Sequence, residues 1–129
     1  MKRPTRILVV DDNQSLCRMV AQVLEEHGYV TVAVESGEAA LAAARHEPPD
    51  LCIVDFFMPG MSGAELIREL RASPDGRLRT VPAIGLTAYE NGERELLGAG
   101  AAVVLRKPWN EAAILHEVER LLAPPGSRP

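Results

Sequence analysis

Ile7, Leu8, Val9 and Val10 form an unbroken apolar run that ends on Asp11, Asp12 and Asn13, after which the apolar positions change period. Leu16, Met19, Val20, Val23 and Leu24 recur at three- and four-residue spacing, one inward face of an amphipathic helix that Asn13 can cap and Gly28 can end. Strand, turn and helix are thus the opening unit. Val30 to Val34 reads as a β-branched strand, Gly37 to Arg45 as an alanine-rich helix behind a Ser36 cap, and Pro48-Pro49 as a stop. Leu51 to Val54 is the third strand, again ending on a carboxylate, Asp55.

The next loop contains Pro59-Gly60, and Ser62-Gly63-Ala64-Glu65 has the spacing of a capping box, which starts a helix carrying Leu66, Ile67 and Leu70 inward. A polar connection from Ser73 to Thr80 leads to a strand over Val81 to Thr87, a short helix near Asn91 to Leu97, and a strand over Val103 to Arg106. A last helix buries Ile114, Leu115, Val118, Leu121 and Leu122. Five strands alternating with five helices imply an α/β fold, its parallel sheet wound on both faces by right-handed crossovers. In such sheets ligands bind beyond the carboxyl ends of the strands, where strand order reverses. The acids fall at those ends. Residues 1–122 read as one domain, and 123–129, with three prolines and a glycine, as a flexible tail or linker.

Composition narrows the function. With 129 residues, 25% charged and 47% apolar, the chain suits one globular core. Net charge is −4 and Lys and Arg do not cluster beyond Lys2-Arg3 and Arg6, so direct nucleic-acid binding lacks its basic footprint. No apolar run approaches the roughly 18 residues of a membrane span, and a cytoplasmic protein is expected. Cys17 and Cys52 are expected as reduced core thiols, and His27, His46 and His116 as solvated helix-end residues.

Asp11, Asp12 and Asp55 converge if the first and third strands are neighbours. Two unit charges about 5 Å apart at an effective dielectric near 20 repel by roughly 3 kcal/mol. A divalent cation relieves that repulsion, and hard oxygen ligands without His or Cys point to magnesium. The alternative is that strand-end acids only cap helices. Thr87 and Lys107, at the carboxyl ends of two further strands, favour a phosphoryl group: metal and ammonium neutralise its charge and the hydroxyl donates a hydrogen bond.

The ordered set of Asp11-Asp12, Asp55-Phe-Phe-Met-Pro-Gly-Met-Ser-Gly63, Thr87-Ala88 and Lys107-Pro108 resembles the receiver (CheY-like) domains of two-component response regulators, over nearly the whole chain. The resemblance implies a flavodoxin-like strand order of 2-1-3-4-5 and a phosphoacceptor at Asp55, with Thr87 and Lys107 contacting the phosphoryl oxygens. It also implies magnesium on Asp12, Asp55 and the Phe57 carbonyl, with Asp11 helping through water. The partners implied are a histidine kinase or phosphotransfer protein and a downstream target. Phosphoryl acceptance and slow dephosphorylation would be self-catalysed, so no dedicated enzyme is implied. The Lys107-Pro108 bond would be cis, against the alternative of a trans proline in a first helical turn. Phe57 and Tyr89 would border the water approach to the phosphoryl group.

Three features depart from the pattern or leave it open. Receivers usually carry Tyr or Phe three residues before the lysine, where this chain has Val104, which cannot swing as a ring does. The stretch from Thr87 to Gly100-Ala101 is about two residues short, and with Gly92 and Gly98 it suggests a short or irregular helix. Thirdly, either a stand-alone receiver or one cut from a larger regulator fits this length. A magnesium-dependent phosphohydrolase of the haloacid-dehalogenase kind would need an Asp where Phe57 stands.

Overall fold

The computed structural model describes residues 3–123; Met1, Lys2 and all but the first residue of the expected 123–129 tail lie outside them. The elements run β1 (Arg6–Val10), α1 (Gln14–Glu26), β2 (Val30–Val34), α2 (Gly37–His46), β3 (Leu51–Asp55), α3 (Gly63–Arg71), α4 (Gly76–Thr80), β4 (Ala83–Thr87), α5 (Glu90–Ala99), β5 (Val103–Arg106) and α6 (Glu111–Leu122). The sheet is parallel throughout, in the order β2-β1-β3-β4-β5. Its order reverses between β1 and β3, so the ends of those two strands open onto one crevice.

Both faces of the sheet are covered, which is why β1 and β3 read as continuous apolar runs rather than alternating ones. Ile7, Val9, Leu51, Ile53, Ile84 and Leu86 pack with Cys17, Val20 and Leu24 of α1 and Ile114 and Val118 of α6. Leu8, Val10, Cys52, Val54 and Ala83 face the other way, onto Leu41, Leu66, Ile67, Leu70 and Leu96. The central strands β1 and β3 therefore have no solvated side, and a carboxylate can come only at their ends.

The expected caps are present: Asn13 and Ser36 each accept a backbone N–H of the helix they precede, and Ser62 and Glu65 close the capping box of α3. Asn110 caps α6 in the same way. Corrections fall where the pattern was short. The Ser73 to Thr80 connection contains the extra helix α4, capped by Asp75, so the described residues form six helices where five were expected. The fourth strand begins at Ala83 and not Val81, because Pro82 has no N–H for the ladder and contributes only its carbonyl, which accepts from Cys52. Met19 is 36% exposed instead of inward, since Cys17, Val20 and Leu24 already fill the contact between α1 and the sheet. His116 lies exposed in the middle of α6, not at its end. The helix expected to be short or irregular is α5, ten residues long.

Candidate functional site

Asp11 follows the last residue of β1 and is held there by its own N–H, which donates to the Val34 carbonyl at 3.1 Å. Its Oδ1 accepts the Asn13 N–H at 2.9 Å, while Oδ2 is buried without a hydrogen-bond partner. Asp55 ends β3, and the chain beyond it is pinned twice: the Phe56 N–H donates to the Leu86 carbonyl and the Phe56 carbonyl accepts from Gly63, both at 2.9 Å. Asp12 is exposed beside them. One carboxylate oxygen from each of Asp11, Asp12 and Asp55 lies within 4.8 Å of the others.

Gly63, the first residue of α3, sits so close that a Cβ there would overlap the Asp55 carbonyl oxygen and come within 2.9 Å of a Val54 methyl. The capping box predicts the helix start; nothing in the sequence pattern predicts that contact.

Lys107 reaches the acids from the far side of β4. Its backbone N–H donates to the Thr87 carbonyl at 2.9 Å, its bond to Pro108 is cis, and its Nζ stands 3.8 Å from Asp55 Oδ1. Thr87 is buried at the end of β4, its hydroxyl oxygen accepting the Tyr89 N–H at 3.1 Å. Asp11, Asp12, Asn13, Asp55, Phe57, Thr87, Tyr89 and Lys107 line one open cleft. The two aromatics at its rim, Phe57 and Tyr89, are 73% and 59% exposed, so neither is buried in the core.

The electrostatics follow from burial. Only 5% of Asp55 is exposed, and desolvation, reinforced by the Asp11 charge, pushes its carboxyl up to about 7; Lys107 opposes that rise. Burial likewise raises Asp11, partly offset by the Asn13 amide. Packed oxygens that resist ionisation, one of them without a donor, suit a hard cation that the other residues do not supply. Cys17 is no competitor for such an ion. Its Sγ donates to the Asp11 carbonyl at 3.2 Å, and burial pushes its thiol up to about 11. Cys52, also buried and free, is pushed up to about 12.

Every residue singled out as a site candidate is thus brought to this cleft. Phe56 is half-buried, its ring close to Gly92, where a Cβ would also overlap the Thr87 hydroxyl oxygen. Val104 is half-buried and packs against the core on the same side as Leu96 and Phe56.

Residues 7–119 match the family model described as the response regulator receiver domain. Protein PilH of Pseudomonas aeruginosa is 32% identical over 120 residues, covering 92% of this chain and 98% of PilH. The DNA-binding response regulator MtrA of Mycobacterium tuberculosis is 37% identical over 119 residues, covering 91% of this chain but only 50% of MtrA. Among solved structures, the chemotaxis response regulator CheY4 of Vibrio cholerae superposes with a TM-score of 0.85 at 30% identity, covering 93% of this chain and all of that one.

Proposed function

The chain belongs to the response regulator receiver family, whose role is that of a two-component phosphoacceptor, and from that premise we propose that Asp55 is the residue phosphorylated. One observation carries the assignment: of the three clustered acids, Asp55 is the one that Lys107 approaches, at 3.8 Å, and it stands at the centre of the sheet's carboxyl edge.

In this reading an Asp55 oxygen attacks the phosphorus of a phosphohistidine. A P–O bond forms, the P–N bond breaks, and the imidazole departs with the electron pair of that bond and takes up a proton. Lys107 faces the oxygens on which negative charge is carried, and the Thr87 hydroxyl turns from Tyr89 to donate to one of them. Asp12, Asp55 and the Phe57 carbonyl would hold magnesium, with Asp11 acting through water; its unpartnered Oδ2 suits a water-borne proton. When bound, the ion offsets the charge of the acids and of the incoming phosphoryl oxygens.

The donor would be a histidine kinase or phosphotransfer protein, as for receivers in general, and the chemistry would be self-catalysed. The chain would work in the cytoplasm, without touching nucleic acid itself. Among the described residues no helix is long and apolar enough to cross a membrane.

The test is incubation with magnesium and acetyl phosphate followed by peptide mass spectrometry. Phosphate on the peptide containing Asp55, absent from Asp55→Asn, is expected. Phosphate at another residue, or none, would overturn the assignment.

A further inference from the structure

The loop that follows Asp55 rests on the first turn of α2 through a methionine side chain. A Cβ built on Gly37, the buried first residue of that helix, would lie 2.7 Å from Met61 Sδ, 2.8 Å from its Cβ and 2.9 Å from its Cγ. Non-bonded carbons settle at about 3.5–4.0 Å, so Met61 lies flat on bare backbone that any side chain would push away. Beside it, Gly60 turns with a φ of 80°, and a Cβ there would come within 3.8 Å of Oε1 of Glu38, the next residue of α2. Two successive loop residues thus sit on two successive residues of the helix. The rest of the loop has little slack. The Phe56 carbonyl accepts the Gly63 N–H at 2.9 Å, which closes the stretch from Phe57 to Ser62 on itself, and the capping box of Ser62 and Glu65 fixes its exit. The Phe57 carbonyl, assigned above to magnesium, lies inside that closed stretch, so whatever unseats Met61 moves backbone beside the phosphoacceptor.

Met19, Met58 and Met61 differ in what surrounds them. Met58 is buried, and Met19 is exposed on α1, where the contact with the sheet is made by other residues. Met61 is half-buried, packed against the core cluster that includes Leu41 and Met58. It alone joins a sulfur that solvent can approach to a contact with no room for an added atom. A sulfoxide oxygen facing Gly37 would meet backbone, and one turned outward would make a polar group of a side chain held in apolar packing. The buried thiols of Cys17 and Cys52, which burial keeps protonated, do not compete for an oxidant.

We propose that Met61 is an oxidation site: a peroxide converts its thioether to the sulfoxide, which lifts the loop off α2 and slows phosphoryl acceptance at Asp55. A sulfur lone pair attacks one peroxide oxygen, an S–O bond forms and the O–O bond breaks. The departing hydroxide takes the proton left on the new oxygen and leaves as water; sulfur gives up two electrons and the peroxide gains them. The effect on phosphorylation rests on the phosphoacceptor reading, whereas the modification and the displacement of the loop do not.

Hydrogen peroxide treatment of wild type, Met19→Leu and Met61→Leu, followed by tandem mass spectrometry, NMR and phosphorylation by acetyl phosphate, tests this. Met19 and Met61 should each gain one oxygen in wild type while Met58 gains none. In oxidised wild type and Met19→Leu the Gly37 and Phe57 amide signals should move, and phosphorylation should slow by about threefold or more. In Met61→Leu neither change should follow the peroxide. Methionine sulfoxide reductases specific for each of the two sulfoxide epimers should together restore signals and rate in wild type, a comparison that stands even if Met61→Leu does not fold. Met61 left unoxidised while Met19 is converted overturns the inference. So does a Met61 sulfoxide with the Gly37 signal unmoved or the rate unchanged, and so does a loss of rate that persists in Met61→Leu. Untreated wild type that takes no phosphate at Asp55 overturns the phosphoacceptor reading instead, and the sulfoxide and the Gly37 signal then decide whether Met61 holds the loop.

Discussion

Lys107 Nζ and Asp55 Oδ1 stand 3.8 Å apart although their strands, β5 and β3, are separated by β4. The lysine crosses the end of β4 while its backbone N–H is fixed to the Thr87 carbonyl, so the charge is aimed by the sheet edge and not by a flexible loop alone. This cation is what holds the Asp55 carboxyl down against burial and the Asp11 charge. Lys107→Ala should therefore raise the Asp55 carboxyl above its already elevated position and slow phosphorylation by acetyl phosphate by roughly tenfold or more. A carboxyl-carbon NMR titration and a phosphorylation time course check the two effects separately. An unmoved titration would mean that the pair does not interact in solution.

The same crowding makes a signed prediction for metal-free stability. Asp55 titrates near 7 when folded, above the ordinary carboxyl value of 3.8 that applies on unfolding, so the folded state holds the extra proton between those values. Its favourable contribution is complete below about pH 4, declines as pH rises, and is gone above about pH 7. Asp55→Asn should accordingly be more stable than wild type at pH 8 by on the order of 2–4 kcal/mol, with the gap narrowing below pH 7 and closing toward about pH 4. Asp12→Ala should act in the same direction more weakly, because Asp12 is exposed, and should lose magnesium-dependent phosphorylation. Urea melts with and without magnesium decide it: a gap independent of pH would rule out Asp55 as its source.

Much of the cleft was legible from strand ends alone. Asp11, Asp55 and Thr87 each terminate or follow an apolar run, Lys107 follows the end of β5, and burial on both faces leaves polar side chains no place in the middle of the central strands. Less legible was whatever depends on contacts between elements. The five residues of α4 are too few for a helical period to register, and the exposure of Met19 depends on how α1 rolls against the sheet. The close approaches at Gly63 and Gly92 leave no trace in hydrophobic patterning, because a glycine in a loop, a cap or a packed helix is the same letter.

Gly63→Ala should show that such contacts matter to the site. The added methyl must displace the Asp55 carbonyl, which is backbone and cannot rotate aside, so the strand end and its carboxylate move together. Destabilisation on the order of 1–3 kcal/mol is expected, with weaker magnesium binding. Denaturant melts and magnesium titration of the same variant check it; wild-type behaviour in both would mean that α3 shifts freely away from β3.

Phe57 and Tyr89 lead to the last prediction, concerning the lifetime of the phosphoryl group. Hydrolysis of an acyl phosphate at Asp55 needs a water aligned opposite the leaving carboxylate oxygen, and these two exposed aromatics stand at the rim of the cleft from which water must come. Neither side chain is spent on the core, so both are free to close over the phosphoryl group; Phe57 has no polar group to orient a water, and Tyr89 carries only a hydroxyl at the far end of its ring. The phosphorylated protein should therefore be long-lived. Phe57→Asn and Tyr89→Glu, which place a polar, hydrogen-bonding group at the same rim positions, should each speed phosphate release several-fold without changing the melting temperature by more than a few degrees. Decay of isolated phosphoprotein, followed by release of inorganic phosphate, measures this directly. If both variants decay at the wild-type rate, water does not enter past these rings, and the lifetime is governed by the Lys107 and Thr87 side of the cleft.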